Sequence, residues 1–492
     1  MSLRSNERIR RATASRGKAK AMQFGDEERR TRSYGAAVLL VCAAFLAFGC
    51  GEPADEGADD TSFDDRPIGT IQDVATLRDR EDLNVLFILV DTLRADRLSS
   101  YGYERQTSPV LDYVAATGLR FARHRAQSSW TKTSMASLWS GFYPTRTGVL
   151  THRDTVSPEA TMPAEVFREN GFFTVGIWRN GWVAPNFGFR QGFDLYVSPR
   201  PRQAPSAMRM APIAGRIDGT DIDAVFAATE FLRVNQDRRF FLYVHLMDVH
   251  QYISTEETAI FGTSLSDGYD NSIRWEDQQI GEILAMLYRL DLAEKTLVVV
   301  ASDHGEAFGE HGLEGHARDV HAEVTMTPFL IGFPFRLEPG VVIEEPTQNV
   351  DVFPTIMDLV GLEGVPETDG RSLLPWLLGE SIPDYPGQDF AHLDRTWGRT
   401  DKDPDPVLAV RQGDHRLIHD VNNPDRDLLY DVKSDRAETR NIASEATAVL
   451  NTLRSVAEAH LASPPAWDGG APEIELDEMS LRQLRALGYS IE

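Results

Sequence analysis

The sequence predicts an α/β fold of three layers, with a mostly parallel central sheet between two layers of helices. The first observation is the apolar run at residues 85–90, which is typical of a strand buried on both faces. The second is that polar stretches with helical spacing precede further apolar runs at residues 240–246 and 296–300. Strands that alternate with helices in this way form parallel sheets covered on both sides.

The remaining elements follow in chain order. Helical patterns occupy residues 109–117, 133–139, 164–170, 221–234 and 272–290. After about residue 378, short alternating runs at residues 407–411, 416–420 and 428–432 are separated by Asp, Asn and Gly. We therefore expect a main domain over residues 81–380 and a C-terminal α+β subdomain with a small antiparallel sheet over residues 381–492.

The first 50 residues have the pattern of an export signal. A basic head precedes an apolar run at residues 36–48, which is too short to span a bilayer as a helix. The run ends in Leu-Ala-Phe-Gly-Cys, which resembles a bacterial lipobox with Cys50 as the lipidated residue. We expect a periplasmic or cell-surface lipoprotein, lipid-anchored to the outer membrane through an acidic disordered tether at residues 51–80. An ordinary cleavage site beside Cys50 is the alternative.

Charge and cysteine content exclude several classes of protein. The formal net charge of -25 leaves no basic surface to neutralise nucleic acid phosphates, so we expect no nucleic acid partner. The two cysteines, Cys42 and Cys50, both lie at the N-terminal signal. The rest of the chain therefore has neither a disulfide nor a cysteine for catalysis.

Acidic residues follow two of the predicted strands. Asp91 directly follows the first apolar run, and Asp303 and His304 lie three and four residues after the run at residues 296–300. Functional residues gather at the carboxyl ends of parallel strands, so both turns are expected at one edge of the sheet. Each Asp alone is equally compatible with a helix cap.

Seven segments together resemble the sulfatase family of the alkaline phosphatase superfamily. NVLFILVDTLRADRLSSYG resembles its opening strand and metal turn, SSWTKTSMASLWSGFYPTRTGV its nucleophile segment, and VVVASDHGEAFGEHG its second metal turn. Further matches occur, in the family's order, at FLYVHLMDVHQYI, YDNSIRWEDQQIGEIL, VDVFPTIMDLVG with DGRSLLPWL, and LLYDVKSDRAETRNIA. The resemblance covers most of residues 84–443 and implies a metal-dependent hydrolase of sulfate or phosphate esters.

The resemblance implies one divalent metal ion held by Asp91, Thr131, Asp303 and His304. Arylsulfatases usually have a second acid where Thr92 stands and an amide where His304 stands. An imidazole in place of oxygen ligands favours manganese or zinc, while calcium and magnesium stay open. A second metal near Asp248 and His250 also stays open.

The nucleophile follows from the register of the family motif, whose glycine lies ten residues after the reactive residue. Counting back from Gly141 gives Thr131. Thr133 and Met135 replace the proline and arginine of the motif, so the signature for conversion to formylglycine is missing. Thr131 is therefore expected to keep its hydroxyl and to form a covalent ester during the reaction. A helix N-cap at Thr131 is a compatible structural interpretation.

Other polar residues match positions that contact the ester in relatives. His250 and His316 are expected to hold an oxygen of the transferred group or to protonate the leaving group. Arg179 is the candidate for the missing positive charge, with Lys132 as a weaker candidate. His311 and His321 are interpreted as structural residues and are not assigned to the site.

The sequence thus predicts a sulfatase-like ester hydrolase with a Thr nucleophile. Its expected substrate is an anionic ester on a sulfated or phosphorylated glycan, a lipid headgroup or a small molecule. A phospho-headgroup transferase, of the phosphoethanolamine or phosphoglycerol type, is one alternative, although such enzymes usually follow several membrane-spanning helices. A non-catalytic lipoprotein that binds a glycan or an anion is the other.

Overall fold

A large mixed sheet lies at the centre of the computed structural model, which describes residues 64–202, 207–209, 218–363, 366–382, 385–476, 481–482 and 484–485. The sheet contains eight strands, with the order β8-β2-β7-β6-β1-β5-β3-β4. Its strands are β1 Asn84–Val90, β2 Leu119–Arg125, β3 Phe173–Ile177, β4 Leu195–Val197, β5 Phe240–Leu246, β6 Thr296–Ala301, β7 Phe329–Gly332 and β8 Val341–Gln348. Strand β7 runs antiparallel to β2 and β6, and the other neighbouring strands are parallel. The predicted mostly parallel sheet is confirmed.

Helices cover this sheet on both faces. The α-helices of the described residues are α1 Ile71–Thr76, α2 Pro109–Ala116, α3 Thr131–Ser140, α4 Pro144–Thr147, α5 Pro163–Glu169, α6 Asp221–Val234, α7 Leu265–Arg289, α8 Ala322–Thr325, α9 Val352–Leu359, α10 Leu374–Leu377 and α11 Thr447–Leu461. Alternate residues of β1 enter opposite apolar cores, with Phe87 packing beside Trp139 of α3 and Ile88 beside Ile273 of α7. Because successive side chains of a strand point to opposite faces of the sheet, each face packs against its own layer of helices, which gives three layers.

The small C-terminal sheet is also confirmed. Four antiparallel strands form it in chain order, namely β9 Gln388–Asp394, β10 Pro406–Gln412, β11 His415–Asp420 and β12 Leu428–Asp431. Leu408 of β10 and Leu417 of β11 share an apolar cluster with Leu450 and Leu453 of α11. This helix therefore covers one face of the small sheet.

The segment before β1 corrects the predicted end of the tether. Residues 66–492 form one compact unit. Within it, α1 places Val74 in the core and Leu77 follows at once, both about 1% exposed. These two apolar residues fold the chain well before residue 80, which composition alone had assigned to the tether. Residues 1–63, with the predicted signal and Cys50, lie outside the described residues.

Shorter pairings complete the fold. The strand Ile68–Gly69 pairs with Arg336–Leu337, Ala307–Phe308 with Glu314–Gly315, and Met208–Arg209 with Ile253–Ser254. Among the described residues, no helix has both the length and the apolar character needed to cross a membrane.

Candidate active site

The first part of the site is the turn that follows β1. Asp91 is fully buried, and its backbone N–H donates to the carbonyl of Leu246 at the end of the neighbouring strand β5. Thr92 has a φ of 62°, which is rare for a β-branched residue. The Tyr269 hydroxyl donates to the Thr92 carbonyl at 2.6 Å and thereby helps to hold this strained turn.

Two side chains fix the carboxylate of Asp91 by one oxygen. His245 Nε2 donates to Asp91 Oδ2 at 2.9 Å, and Asn180 Nδ2 donates to the same atom at 2.6 Å. The Tyr243 hydroxyl lies 2.8 Å from His245 Nδ1 and donates to it, because Nε2 carries the proton given to the carboxylate. Asp91 Oδ1 is buried without a hydrogen-bond partner among the described residues.

The turn after β6 repeats this arrangement with Asp303. Its Oδ1 accepts from the backbone N–H groups of Thr92 at 3.2 Å and His304 at 3.0 Å. Its Oδ2 is buried without a partner in the described part of the chain. Burial, followed by the proximity of Asp91, raises the pKa of Asp303 above its ordinary value. The two turns are therefore linked to each other, and each directs one unpaired oxygen into the same space.

His304 adds a nitrogen ligand to this space. Its Nδ1 lies 2.9 Å from the Gly305 carbonyl, which only accepts, so Nδ1 carries the proton and Nε2 holds a lone pair. Nε2 lies 3.3 Å from Asp303 Oδ2 and 3.9 Å from Asp91 Oδ1. Three electron-rich atoms that face one another in a buried space repel each other unless a cation lies between them. The donor set therefore fits a divalent metal ion.

Thr131 is the first residue of α3 and is fully buried. Its Oγ1 lies 3.1 Å from His304 Nε2 and accepts a long hydrogen bond of 3.4 Å from Asn180 Nδ2. The Ser134 hydroxyl, one turn further along α3, donates to the Asp303 carbonyl at 2.5 Å. The structure thus brings the hydroxyl of Thr131 together with the other three predicted metal ligands, Asp91, Asp303 and His304.

Two further histidines lie beside His304. The ring centroids of His316 and His304 are 4.6 Å apart, and those of His250 and His316 are 4.9 Å apart. His316 Nδ1 lies 3.2 Å from the Glu306 carboxylate, which raises the pKa of His316 in spite of its burial. His250 accepts at Nδ1 from Gln251 at 3.1 Å, so its Nε2 carries a proton that has no acceptor among the described residues.

Arg179 lies between buried carboxylates. Its Nη1 donates to Asp221 Oδ1 at 2.6 Å and to Asp248 Oδ1 at 2.8 Å. Its Nη2 is buried without a hydrogen-bond partner in the described structure. Asp248 Oδ2 accepts from Trp275 Nε1 and from the backbone of Asp221, both at 2.9 Å. Asp248 thus helps to hold Arg179 in place, and the second metal that the sequence left open near Asp248 and His250 stays a prediction.

Lys132 is directed away from these ligands. Its Nζ donates to the carbonyls of His152 at 2.9 Å and Thr151 at 3.3 Å, and it lies 3.8 Å from the ring centroid of Phe187. Burial lowers the pKa of this lysine well below its ordinary value. The lysine therefore anchors a neighbouring loop, and Arg179 is the better placed of the two candidate cations.

Two histidines that the sequence analysis did not assign to the site, His311 and His321, pack against the C-terminal subdomain. The rings of His311 and His321 stack with centroids 3.8 Å apart. His311 bonds Glu323 at 2.7 Å through Nδ1 and the Glu438 carbonyl at 2.9 Å through Nε2. These contacts agree with their interpretation as structural residues.

Sequence reasoning missed three side chains that complete the site. Asn180 lies beside Arg179, His245 lies within β5, and Glu306 follows the second metal turn. His245 gave a signal, because a histidine inside a fully buried apolar strand needs a polar partner. Strand pairing places His245 opposite Leu89, two residues before Asp91. This register depends on how the sheet is assembled, so the local sequence does not show that Asp91 is the partner of His245.

Comparison with known proteins identifies the family. The model of the sulfatase family matches residues 83–362, which is more than half of the chain and contains both metal turns and Thr131. The chain belongs to the sulfatase family. A second model, described as the C-terminal part of N-sulphoglucosamine sulphohydrolase, matches residues 309–460 of this sulfatase-family chain. Rat (Rattus norvegicus) steryl-sulfatase is 26% identical over 407 residues, which cover 60% of this chain and 70% of the relative.

Solved structures show the same fold. A 2-O GAG sulfatase superposes with a TM-score of 0.64 and 18% identity, covering 77% of this chain and 92% of that protein. The phosphonate monoester hydrolase of Agrobacterium radiobacter superposes with a TM-score of 0.61 and 19% identity, covering 80% of this chain and 100% of that protein. The relatives of this sulfatase-family chain are ester hydrolases, and its family assigns it to the same class of enzyme.

Proposed function

We propose that the chain hydrolyses a sulfate or phosphate ester through the hydroxyl of Thr131, with one divalent metal ion held by Asp91, Asp303 and His304. The observation that carries the proposal is the position of Thr131 Oγ1, 3.1 Å from His304 Nε2 and beside two unpaired carboxylate oxygens. A bound divalent ion supplies the positive charge that lowers the pKa of a hydroxyl and neutralises the transferred group. Manganese and zinc suit the imidazole ligand best, and calcium and magnesium are tested beside them.

The protein's own groups then carry the reaction in two steps. In the first, the Thr131 hydroxyl loses its proton to solvent and Oγ1 attacks phosphorus or sulfur in line, and the bond to the leaving oxygen breaks as the new bond forms. His316 is held by Glu306 and donates a proton to the leaving oxygen. In the second, His316 takes a proton from the water that attacks the same phosphorus or sulfur, and Thr131 leaves and regains its proton from solvent.

Three groups stabilise the anion that is transferred. The N-terminus of α3 carries the partial positive charge of the helix dipole at Thr131. His250 Nε2 and Arg179 Nη2 are buried donors that lack an acceptor among the described residues, so a substrate oxygen would satisfy each of them. Such preorganised donors stabilise developing charge at little cost, because they are already desolvated and oriented.

The proposal is tested by turnover of an aryl phosphate, an aryl phosphodiester and an aryl sulfate, each with manganese, zinc, calcium or magnesium added. We expect Thr131→Val, which keeps the shape of the side chain but removes the hydroxyl, to lose at least about 10³-fold in kcat/KM. Thr131→Ser keeps the hydroxyl and is expected to retain activity.

Two outcomes would contradict the proposal. If Thr131→Val remained as active as Thr131→Ser, the threonine would not be the nucleophile. If the wild-type protein were inactive on all three ester classes with every metal, the non-catalytic anion-binding alternative would replace this proposal. The relative rates on phosphate and sulfate esters assign the class of ester.

We also propose that the chain is exported and anchored by a lipid at Cys50. The support is the sequence pattern of the first 50 residues, which joins a basic head and a short apolar run to a lipobox-like ending. The proposal predicts that Cys50→Ser releases the protein from the membrane fraction of expressing cells. Equal membrane association of the two forms would contradict it.

A further inference from the structure

A cleft rich in basic residues lies where the main sheet meets the small sheet. It has about 500 Å³ of free space, counted with its open mouth. This cleft is called the basic cleft below. Its basic lining residues are Arg123, Arg125, Arg411, Lys433 and Arg436. Arg123 and Arg125 are two residues apart on β2, so their side chains leave the strand on the same face. The small sheet supplies the opposite wall.

The carboxylates near this cleft do not balance its positive charge. Asp389 pairs with Arg411, and the exposed Asp414 lies 3.3 Å from Lys433. Arg123 donates to a backbone carbonyl instead of a carboxylate. The exposed Arg436 forms no ion pair within the described residues.

The buried Arg125 shares its carboxylate partners with other arginines. Its side chain is 9% exposed and lies 3.9 Å from Glu438, and it is also attracted by Asp389, which pairs with Arg411. Glu438 already accepts two hydrogen bonds from Arg416, at 2.7 and 2.9 Å. Burial, followed by repulsion from Arg416, lowers the pKa of Arg125 to about 10. In a chain with a net charge of -25, five basic side chains around one cleft, two of which (Arg123 and Arg436) form no ion pair within the described residues, suit the binding of an anion.

The basic cleft and the reaction centre lie near the same end of the main sheet. Arg125 is the last residue of β2, and Thr131 begins α3 six residues later. Six residues span at most about 22 Å when fully extended, which bounds the distance between the two sites. A single extended anionic chain can therefore contact both.

We propose that the basic cleft binds a second sulfate or phosphate group, separate from the group that is cleaved. The group belongs either to the same polyanionic substrate or to a free inorganic anion, and the chemistry of recognition is the same for both. Guanidinium groups bind such oxyanions through paired charge-assisted hydrogen bonds. Binding of the anion itself is independent of the proposed function, whereas its effect on turnover rests on that function.

The first experiment measures binding of inorganic sulfate and inorganic phosphate to the full chain by calorimetry, at low ionic strength and with EDTA present. EDTA removes the ion and so weakens anion binding at the reaction centre, while the arginines of the cleft need no metal. We expect Arg123→Gln with Arg436→Gln to weaken the EDTA-resistant binding by about tenfold or more. The matched control, Arg190→Gln with Arg426→Gln, removes two exposed arginines outside the cleft and is expected to bind like the wild type.

The second experiment compares kcat/KM on a monosulfated or monophosphorylated ester with that on an oligosaccharide carrying two or more such groups. If the cleft binds the substrate, the Arg123→Gln/Arg436→Gln variant loses about tenfold on the oligosaccharide alone. Unchanged turnover on both, with the binding loss still present, assigns the cleft to a free anion.

Two results separate failure of this inference from failure of the proposed function. Absence of EDTA-resistant binding in the wild type, or equal binding in the cleft variant, overturns the inference. An enzyme that is inactive on every ester contradicts the proposed function, while the calorimetric experiment still decides whether the cleft binds an anion.

Discussion

Each carboxylate of the reaction centre has one oxygen held by the protein and one that is unpaired. His245 and Asn180 hold Oδ2 of Asp91, and two backbone N–H groups hold Oδ1 of Asp303. An unpaired buried oxygen costs stability, and two that face each other cost more. The arrangement becomes favourable when a cation binds both oxygens. These carboxylates therefore lower the folding stability of the metal-free protein and raise its affinity for a metal ion.

The supporting contacts lead to a prediction about metal affinity. We expect His245→Gln to weaken binding of manganese or zinc by about 10- to 100-fold, because Asp91 loses a donor that orients it. The measurement is competition with a fluorescent chelator, so it does not depend on activity. The control is His415→Gln on the small sheet, which is expected to leave affinity unchanged. Equal affinities in the two variants would show that His245 does not support the metal ligands.

At the residue scale, the sequence predicted the expected metal ligands and the nucleophile, but not the side chains that hydrogen-bond to them. Asp91, Asp303 and His304 could be predicted because they follow apolar strands, and Thr131 because a motif fixes its distance from Gly141. Asn180 belongs to a short turn with no periodicity, so nothing local indicated that its amide reaches Asp91. Contacts of this kind depend on the register of the sheet.

At the scale of elements, α3 determines where Thr131 lies. All ten of its residues are buried, and Trp139 stacks on Phe353 of α9 with ring centroids 4.8 Å apart. The helix ends at Gly141, which has a φ of 73° and donates its N–H to the Ser137 carbonyl. Packing along α3 and this termination together fix the hydroxyl at the other end of the helix.

The end of α3 gives a prediction about stability. A Cβ at Gly141 would lie 2.8 Å from side-chain atoms of Thr368, whereas Gly102, with a φ of 98°, has open space around it. Both Gly→Ala variants carry the cost of a left-handed backbone, about 1 kcal/mol. Gly141→Ala is expected to lose about 1–3 kcal/mol more than Gly102→Ala, from overpacking. Urea unfolding measures both, and equal losses would contradict the role given to this contact.

The elements that sequence analysis predicted are those with one dominant signal. Strands β1, β5 and β6 are continuous apolar runs, and the structure has them within one residue of the predicted bounds. Strands β2, β3, β4, β7 and β8 were missed, the middle three because they are only three to five residues long, and β2 and β8 because LRFARHR and VVIEEPTQ contain several charged or polar residues. Strands β2 and β8 are neighbours at one side of the sheet. There His124 of β2 hydrogen-bonds Thr347 of β8, and Arg123 and Arg125 line the basic cleft. Tertiary contacts therefore decide the conformation of these two strands more than their composition does.

At the scale of the whole molecule, buried neutral histidines connect stability to pH. Burial lowers the pKa of His124 to about 4 and of His460 to about 3. His460 stacks on Phe390 with centroids 3.7 Å apart and bonds the Thr145 hydroxyl at 3.0 Å. Below the ordinary histidine pKa of about 6.5, the unfolded chain binds protons that the folded chain does not. Stability is therefore lost as the pH falls from about 6.5 towards 4.

This linkage predicts the behaviour of His460→Phe. The variant keeps an aromatic ring against Phe390 but has no proton to bind. We expect the loss of unfolding free energy between pH 6.5 and 5 to be smaller than in the wild type by about 2 kcal/mol, since each pH unit contributes about 1.4 kcal/mol. Chemical denaturation at both pH values measures the difference. An unchanged pH dependence would show that His460 is accessible to protons in the folded state.

The central claim is that the hydroxyl of Thr131 forms a covalent ester with the transferred group. The most direct measurement is mass spectrometry of the metal-loaded protein after acid quenching during turnover, followed by peptide mapping. The account predicts one added phosphoryl or sulfuryl group on the peptide that contains Thr131, and its absence in Thr131→Val. A protein that turns over substrate but whose added group lies on another residue would contradict the account.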